Sequence, residues 1–207
     1  MKYFFIDCGS NLGQGLTKFH KKYGLLEHPD WKIYCFEPNP DINLAADTLP
    51  SNVEFLQQAV WTENTTLKFR RSKRVSDYKK KLDNFGVDSS PGELTSVGCH
   101  IDLDDIIEEL AVPEVTDIIE IPAIDFCEFL QNLPDVVPDS SIVVKMDIEG
   151  AEFAVLRDML SRDAFKNITT LFVETHERFV DGESKETVTS LLSEIEGLGI
   201  QVFGDWG

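Results

Sequence analysis

The chain is poor in basic residues. It has 19 lysines and arginines against 37 acids in 207 residues, a formal net charge of −18. A surface this acidic repels a phosphate backbone, which excludes a general nucleic-acid binder. No apolar run approaches the roughly 18 residues that cross a bilayer, so no membrane span is expected. The opening Met1-Lys2-Tyr3-Phe4-Phe5-Ile6-Asp7 turns acidic and glycine-rich too early for a signal peptide. Cysteine is sparse: Cys8, Cys35, Cys99 and Cys127 stand far apart with no C-x-x-C pair, as expected of reduced thiols in a cytoplasmic protein. The chain is not short of core-forming residues, with 42% hydrophobic and 27% charged, which excludes a disordered or collagenous protein. The length predicts a single domain with a core of its own.

Short apolar runs alternate with longer amphipathic stretches. The runs are Lys2 to Asp7, Trp31 to Phe36, Val53 to Leu56, Ser141 to Met146, Thr169 to Val173 and Gly199 to Phe203. Nearly continuous apolar runs of this length suit strands buried on both faces, hence a parallel sheet. Helices are expected over Gly15 to Tyr23, Asp41 to Thr48, Ala151 to Leu160 and Ser184 to Glu196. In the third of these, Phe153, Val155, Leu156, Met159 and Leu160 recur at helical spacing. The pattern is βαβαβ, an interruption, then βαβαβ: an α/β fold with a doubly wound, mostly parallel sheet, carrying an insertion at about 62–138 between its third and fourth strands. Within the insertion, Lys68 to Lys81 holds eight basic residues and one acid, while Ile101 to Ser140 holds twelve acids and no Lys or Arg. These blocks read as solvated faces that attract each other, or as a basic lip (Arg70, Arg71, Lys73 and Arg74) over a site for an anionic substrate.

Four segments carry chemistry. Asp7-Cys8-Gly9-Ser10-Asn11-Leu12-Gly13 follows the first strand, where glycines let the backbone approach a ligand and the next helix turns its N-terminal amides to the same place. Glu37, ending the second strand about 22 residues after that turn, is placed to accept hydrogen bonds from both hydroxyls of a ribose. Together they predict a nucleoside-containing cofactor, either a dinucleotide or S-adenosylmethionine. The dinucleotide fingerprint is G-x-G-x-x-G, whereas Gly9, Gly13 and Gly15 have the spacing G-x-x-x-G-x-G. Asp7 would repel a pyrophosphate and attract an ammonium or sulfonium, which favours the methyl donor. The third segment is Lys145-Met146-Asp147-Ile148-Glu149-Gly150-Ala151-Glu152, where alternation aims Lys145 and Asp147 the same way. Glu152 suits a helix N-terminus. The fourth is Glu174-Thr175-His176-Glu177, ending the fifth strand.

These segments, with Phe36-Glu37-Pro38-Asn39-Pro40, Gln58-Ala59-Val60 and Ile119 to Asp125, resemble the FkbM-type family of S-adenosylmethionine-dependent methyltransferases, in order along nearly the whole chain. The Lys-x-Asp-x-Glu-Gly-x-Glu element at Lys145 is the most specific part. The resemblance implies a class I, Rossmann-like methyltransferase fold and methyl transfer to a hydroxyl of a sugar or polyketide. It also implies that Asp7, Gly9, Ser10, Asn11 and Gly13 cradle the methionine, that Glu37 and Pro38 hold the ribose, and that Gln58, Ala59 and Val60 lie near the adenine. The first strand begins at residue 3 and the chain ends at Gly207 without the family's closing hairpin. Both departures are read as a domain cut from a longer polypeptide, or one completed by adjoining domains.

The expected acceptor is a sugar or glycan hydroxyl, a poor nucleophile that needs a base. His176 is the first candidate by intrinsic pKa. Asp147 and Glu174 are alternatives, as the base, as orienters of His176, or as ligands of a divalent cation that would acidify the hydroxyl. Lys145 would neutralise this acid group, which includes Glu149, or touch the acceptor. The rival readings are a non-sugar O-methyltransferase, an NAD-type oxidoreductase and a non-catalytic binding domain.

Overall fold

The structure is a computed structural model and describes residues 2–40, 42, 49–72, 100–101 and 115–204. In chain order it contains β1 (Tyr3–Cys8), α1 (Gln14–Tyr23), β2 (Trp31–Phe36), β3 (Val53–Leu56), β4 (Ala59–Trp61), β5 (Thr65–Ser72), β6 (His100–Ile101), β7 (Val115–Asp125), α2 (Phe126–Gln131), β8 (Ser141–Met146), α3 (Glu152–Ser161), β9 (Ile168–Val173), a short 3₁₀ turn at Glu177–Phe179, α4 (Lys185–Gly197) and β10 (Gln201–Phe203). Six strands form one sheet in the order β10-β9-β8-β1-β2-β3. Every pairing in it is parallel.

Alternation along β1 and β2 divides the core. Phe4, Ile6, Cys8, Tyr34 and Phe36 face the cluster that also holds Phe126 of α2, Phe153, Leu156 and Met159 of α3, and Leu191 and Ile195 of α4. Phe5, Ile33 and Cys35 face the opposite side and pack on Leu16 and Phe19 of α1. Helices on both faces explain why these strands read as continuous apolar runs. The fold is therefore α/β with a doubly wound, mostly parallel sheet, as the sequence pattern predicts. Cys8, Cys35 and Cys127 are buried free thiols. Among the described residues no helix is long and apolar enough to cross a membrane. The expected helix at Asp41 to Thr48 lies outside the described residues, except Ile42.

The interruption holds a second sheet that the apolar runs did not predict, in the order β4-β7-β5-β6. Its β5 and β7 pair antiparallel, as do β5 and β6. These strands alternate rather than run apolar, because one face is wet. Phe69, Ile121 and Ala123 are buried in a cluster with Ala59, Ile101 and Ala151. Lys68, Ile118 and Glu120 lie exposed on the other face. Lys68 is in register with Glu120, and Arg71 with Asp117; residues 73–81 of the basic block and 102–114 of the acidic block lie outside the described residues. Of the proposed basic lip, Lys73 and Arg74 lie outside the described residues, and Arg70 alternates with the inward-facing Phe69.

Candidate functional site

The carboxyl ends of β1, β2 and β8 open into a cleft. The second sheet forms its far wall. Gly9, Asn11, Glu37, Pro38, Gln58, Ala59, Val60, Asp147 and Glu149 line it, so the topology gathers nine of the predicted residues. Phe36, Asn39, Phe69, Ile101 and Ile148 line it too, and sequence reasoning had not assigned them. Phe69 and Ile101 carried no signal beyond being apolar, since only the pairing of the second sheet turns them inward.

Glu37 is pinned from both sides. Its Oε2 accepts the Asn11 backbone N–H and its Oε1 the Asn39 backbone N–H, both at 2.8 Å. Each oxygen keeps a further lone pair for a ligand. Burial pushes the Glu37 carboxyl up to about 7, against the pull of the two N–H donors and Lys145. The Gly9 and Ser10 N–H groups both donate to the Phe36 carbonyl, at 3.0 and 2.8 Å, which fastens the β1 turn to the end of β2.

Asp7, Ser10, Gly13 and Lys145 do not line the cleft; they brace it from beneath. Asp7 is 0% exposed. It lies under the first turn of α1, where a Cβ on Gly15 would come within 2.9 Å of its Oδ2. Ser10 Oγ donates to the Asp7 carbonyl at 2.9 Å. Gly13 caps α1 in the left-handed conformation, at φ 82°. Among the described residues, neither Asp7 carboxylate oxygen accepts a well-aligned hydrogen bond. Its charge is met by Lys145, whose Nζ lies 3.2 Å from Oδ1. Lys145 is the register partner of Asp7 across β1 and β8. The same ammonium donates to the Gly9 carbonyl at 2.7 Å and lies 3.4 Å from Asp147 Oδ2. Burial lifts the Asp7 carboxyl above its usual range despite Lys145. For Lys145 burial acts downward, but Asp7 and Asp147 outweigh it and hold the ammonium above its ordinary value. Of the acids grouped with it in the sequence reading, Lys145 meets Asp147, and its nearer partner is Asp7.

At the end of the cleft beside Asp147, β8 and β9 bring an imidazole into a ring of carboxylates. His176 is buried, and its ring stacks on Phe179. Glu152, the first residue of α3, is 0% exposed. Its Oε1 accepts the His176 backbone N–H at 2.8 Å and stands 2.9 Å from Nδ1, and its Oε2 accepts the Gly150 N–H at 2.9 Å. Beyond complementing the helix end, then, Glu152 ties the β8 turn to the β9 turn. His176 Nε2 faces Glu149 Oε2 at 3.5 Å, Glu174 Oε1 at 3.9 Å and Asp147 Oδ1 at 4.0 Å. Burial opposes charge on His176, but the hydrogen bond and charge of Glu152, with Glu149 and Asp147, overcome it and push the imidazole up to about 9. These acid neighbours favour a proton on the ring. By intrinsic pKa the sequence puts His176 first among the candidate bases, and these neighbours raise the ring above that value. Glu174 is half exposed at the rim of the group.

The family model for the methyltransferase FkbM domain matches residues 7–201. No curated protein and no solved structure matches the chain.

Proposed function

The chain belongs to the FkbM methyltransferase family, and on that premise we propose that it transfers the methyl group of S-adenosylmethionine to a hydroxyl of a sugar or glycan. The observation that carries the donor assignment is the charge of the cleft. Its lining holds Glu37, Asp147 and Glu149 and, among the described residues, no lysine, arginine or histidine. Such a lining repels a pyrophosphate and favours a donor that carries an ammonium and a sulfonium.

S-adenosylmethionine supplies a methyl group on a positively charged sulfur. Glu37 would hold the ribose with Pro38 beside it, Gln58, Ala59 and Val60 would flank the adenine, and Gly9 and Asn11 would face the methionine. Asp7, Ser10 and Gly13 would act one layer down, fixing the turn. Asp147, Glu149, His176 and Glu174 surround the place where the acceptor oxygen would sit. The hydroxyl's proton would go to His176, Asp147 or Glu174, whichever of them the bound acceptor faces. Most of the rate would come from holding the acceptor in line, which needs positioning rather than charge.

Calorimetry with S-adenosylhomocysteine and with NADH tests the donor. The first should bind and the second should not; the reverse would make the cleft a dinucleotide site. Glu37→Gln should weaken S-adenosylhomocysteine by about 10–100-fold, the worth of hydrogen bonds to a charged acceptor. Because Glu37 also holds two buried N–H groups, the variant should lose about 1–3 kcal/mol of stability as well, read from its denaturation midpoint. Unchanged affinity would remove the ribose role.

The Glu37 carboxyl lies near 7, so its ionised fraction falls as pH drops below that value. S-adenosylhomocysteine should bind several-fold to about tenfold more weakly at pH 5.5 than at pH 8, with Glu37→Gln showing a flatter profile. A parallel pH dependence in both proteins would assign the effect to another group. Mass spectrometry of glycans incubated with protein and donor tests the acceptor. A methylated small molecule with no glycan product would move the acceptor to the non-sugar class.

A further inference from the structure

We infer that Asp147, Glu149 and His176 form a binding site for one divalent cation of the Mn²⁺ class, with Glu152 as the residue that positions the imidazole. Three observations converge on it. First, one nitrogen and two carboxylate oxygens from these residues lie within 4.8 Å of one another. The His176 Nε2 separations, 3.5 Å to Glu149 and 4.0 Å to Asp147, are too long for hydrogen bonds. They match ligand atoms around one six-coordinate ion with bonds of about 2.1–2.2 Å, which stand roughly 3–4.4 Å apart.

Second, the His176 side chain is only 4% exposed, and its Nε2 faces the carboxylates of Glu149, Glu174 and Asp147 at 3.5, 3.9 and 4.0 Å. Third, the other ring nitrogen is already taken by Glu152, 2.9 Å away and fully buried. A carboxylate on the far side of an imidazole fixes its tautomer and aims the remaining nitrogen, the usual support of a metal-ligating histidine. A mixed nitrogen and carboxylate set suits Mn²⁺ better than Ca²⁺, which takes only oxygen. The other candidate group, Asp125, Cys127 and Asp158, is filled from within, since Arg162 Nη1 lies 2.8 Å from Asp125 Oδ2 and 3.1 Å from Asp158 Oδ2.

Three protein ligands leave room for an acceptor hydroxyl on the ion, which would orient the oxygen and lower its pKa. That use rests on the methyl-transfer reading; the site itself does not. The test is Mn²⁺ titration of the full chain, followed by electron paramagnetic resonance, without donor. One site should stand out from weak surface binding and show ¹⁴N coupling from an imidazole. Asp147→Asn and Glu149→Gln should each weaken it at least tenfold, and His176→Gln should remove the nitrogen coupling. Glu152→Gln should weaken it about 10–100-fold, the usual loss for a supporting carboxylate. The surface variant Glu194→Gln should change nothing. A wild-type spectrum without nitrogen coupling, or Asp147→Asn binding Mn²⁺ like its parent, overturns the site. Full methyl transfer in EDTA overturns only the ion's part in the reaction. S-adenosylhomocysteine binding, measured separately, decides the donor cleft whichever way the Mn²⁺ experiment falls.

Discussion

Lys145→Met is expected to destabilise the protein by about 3–5 kcal/mol, the usual cost of stranding one partner of a buried ion pair. The cause is Asp7. Lys145 supplies its counter-charge at 3.2 Å, and among the described residues neither carboxylate oxygen has another well-aligned partner. Asp7 is 0% exposed, so the direct way for the variant to relieve the charge is to protonate Asp7. A carboxyl whose folded pKa is raised lowers stability as pH climbs above its unfolded value, so the loss should be smaller at pH 5 than at pH 7.5. Adding Asp7→Asn to Lys145→Met removes the stranded charge and should restore more than half of the loss. Urea midpoints for the two variants at both pH values measure this. A loss under about 1 kcal/mol, with no pH dependence, would show that the pair does not hold the β1 and β8 ends together. Donor binding should fall too, because Lys145 donates to the Gly9 carbonyl at the cleft wall.

Gly9→Ala is expected to cost a similar amount for a different reason. An added Cβ would stand 1.8 Å from the Asp147 carbonyl oxygen and 2.9 Å from its carbon. Neither backbone can yield easily. The Gly9 N–H is bonded to Phe36 at 3.0 Å, and the Asp147 N–H to Cys8 at 3.1 Å. Gly9 also holds φ at 80°, where an L-residue pays about 1–2 kcal/mol. Gly24 separates the two effects. It has φ 66° but open space around its Cβ position, so Gly24→Ala should cost only the conformational part. Gly9→Ala should lose about 3–5 kcal/mol and all measurable S-adenosylhomocysteine binding. Equal losses at the two glycines would mean that the close approach to β8 contributes nothing.

Much of the fold was legible because continuous apolar runs have one good explanation, a strand covered on both faces. Six such runs became the six strands of the parallel sheet, and the turns at their carboxyl ends became the cleft. Glu37 was legible for the same reason: its position at a strand end, after a glycine turn, does not depend on distant packing. The second sheet was not legible as strands, because β5 and β7 each mix lysine, arginine or glutamate with apolar residues and bury one face only. Phe69 and Ile101 reach the cleft only through that pairing.

Roles decided across the sheet or by burial were beyond the sequence. That Lys145 stands opposite Asp7 follows from β1 and β8 being neighbours, 138 residues apart in the chain. Alternation aimed Lys145 and Asp147 the same way but could not say that the ammonium is buried and already shared. His176 is one such case. Its residue type predicts an imidazole that titrates near neutrality, and only the fold brings Glu152, 24 residues earlier, to both its backbone N–H and its ring. Spacing along the chain determines which residues arrive at one end of a sheet. Their charge states are set by which neighbours they meet there and by how completely water is excluded, and that is a property of the tertiary structure alone.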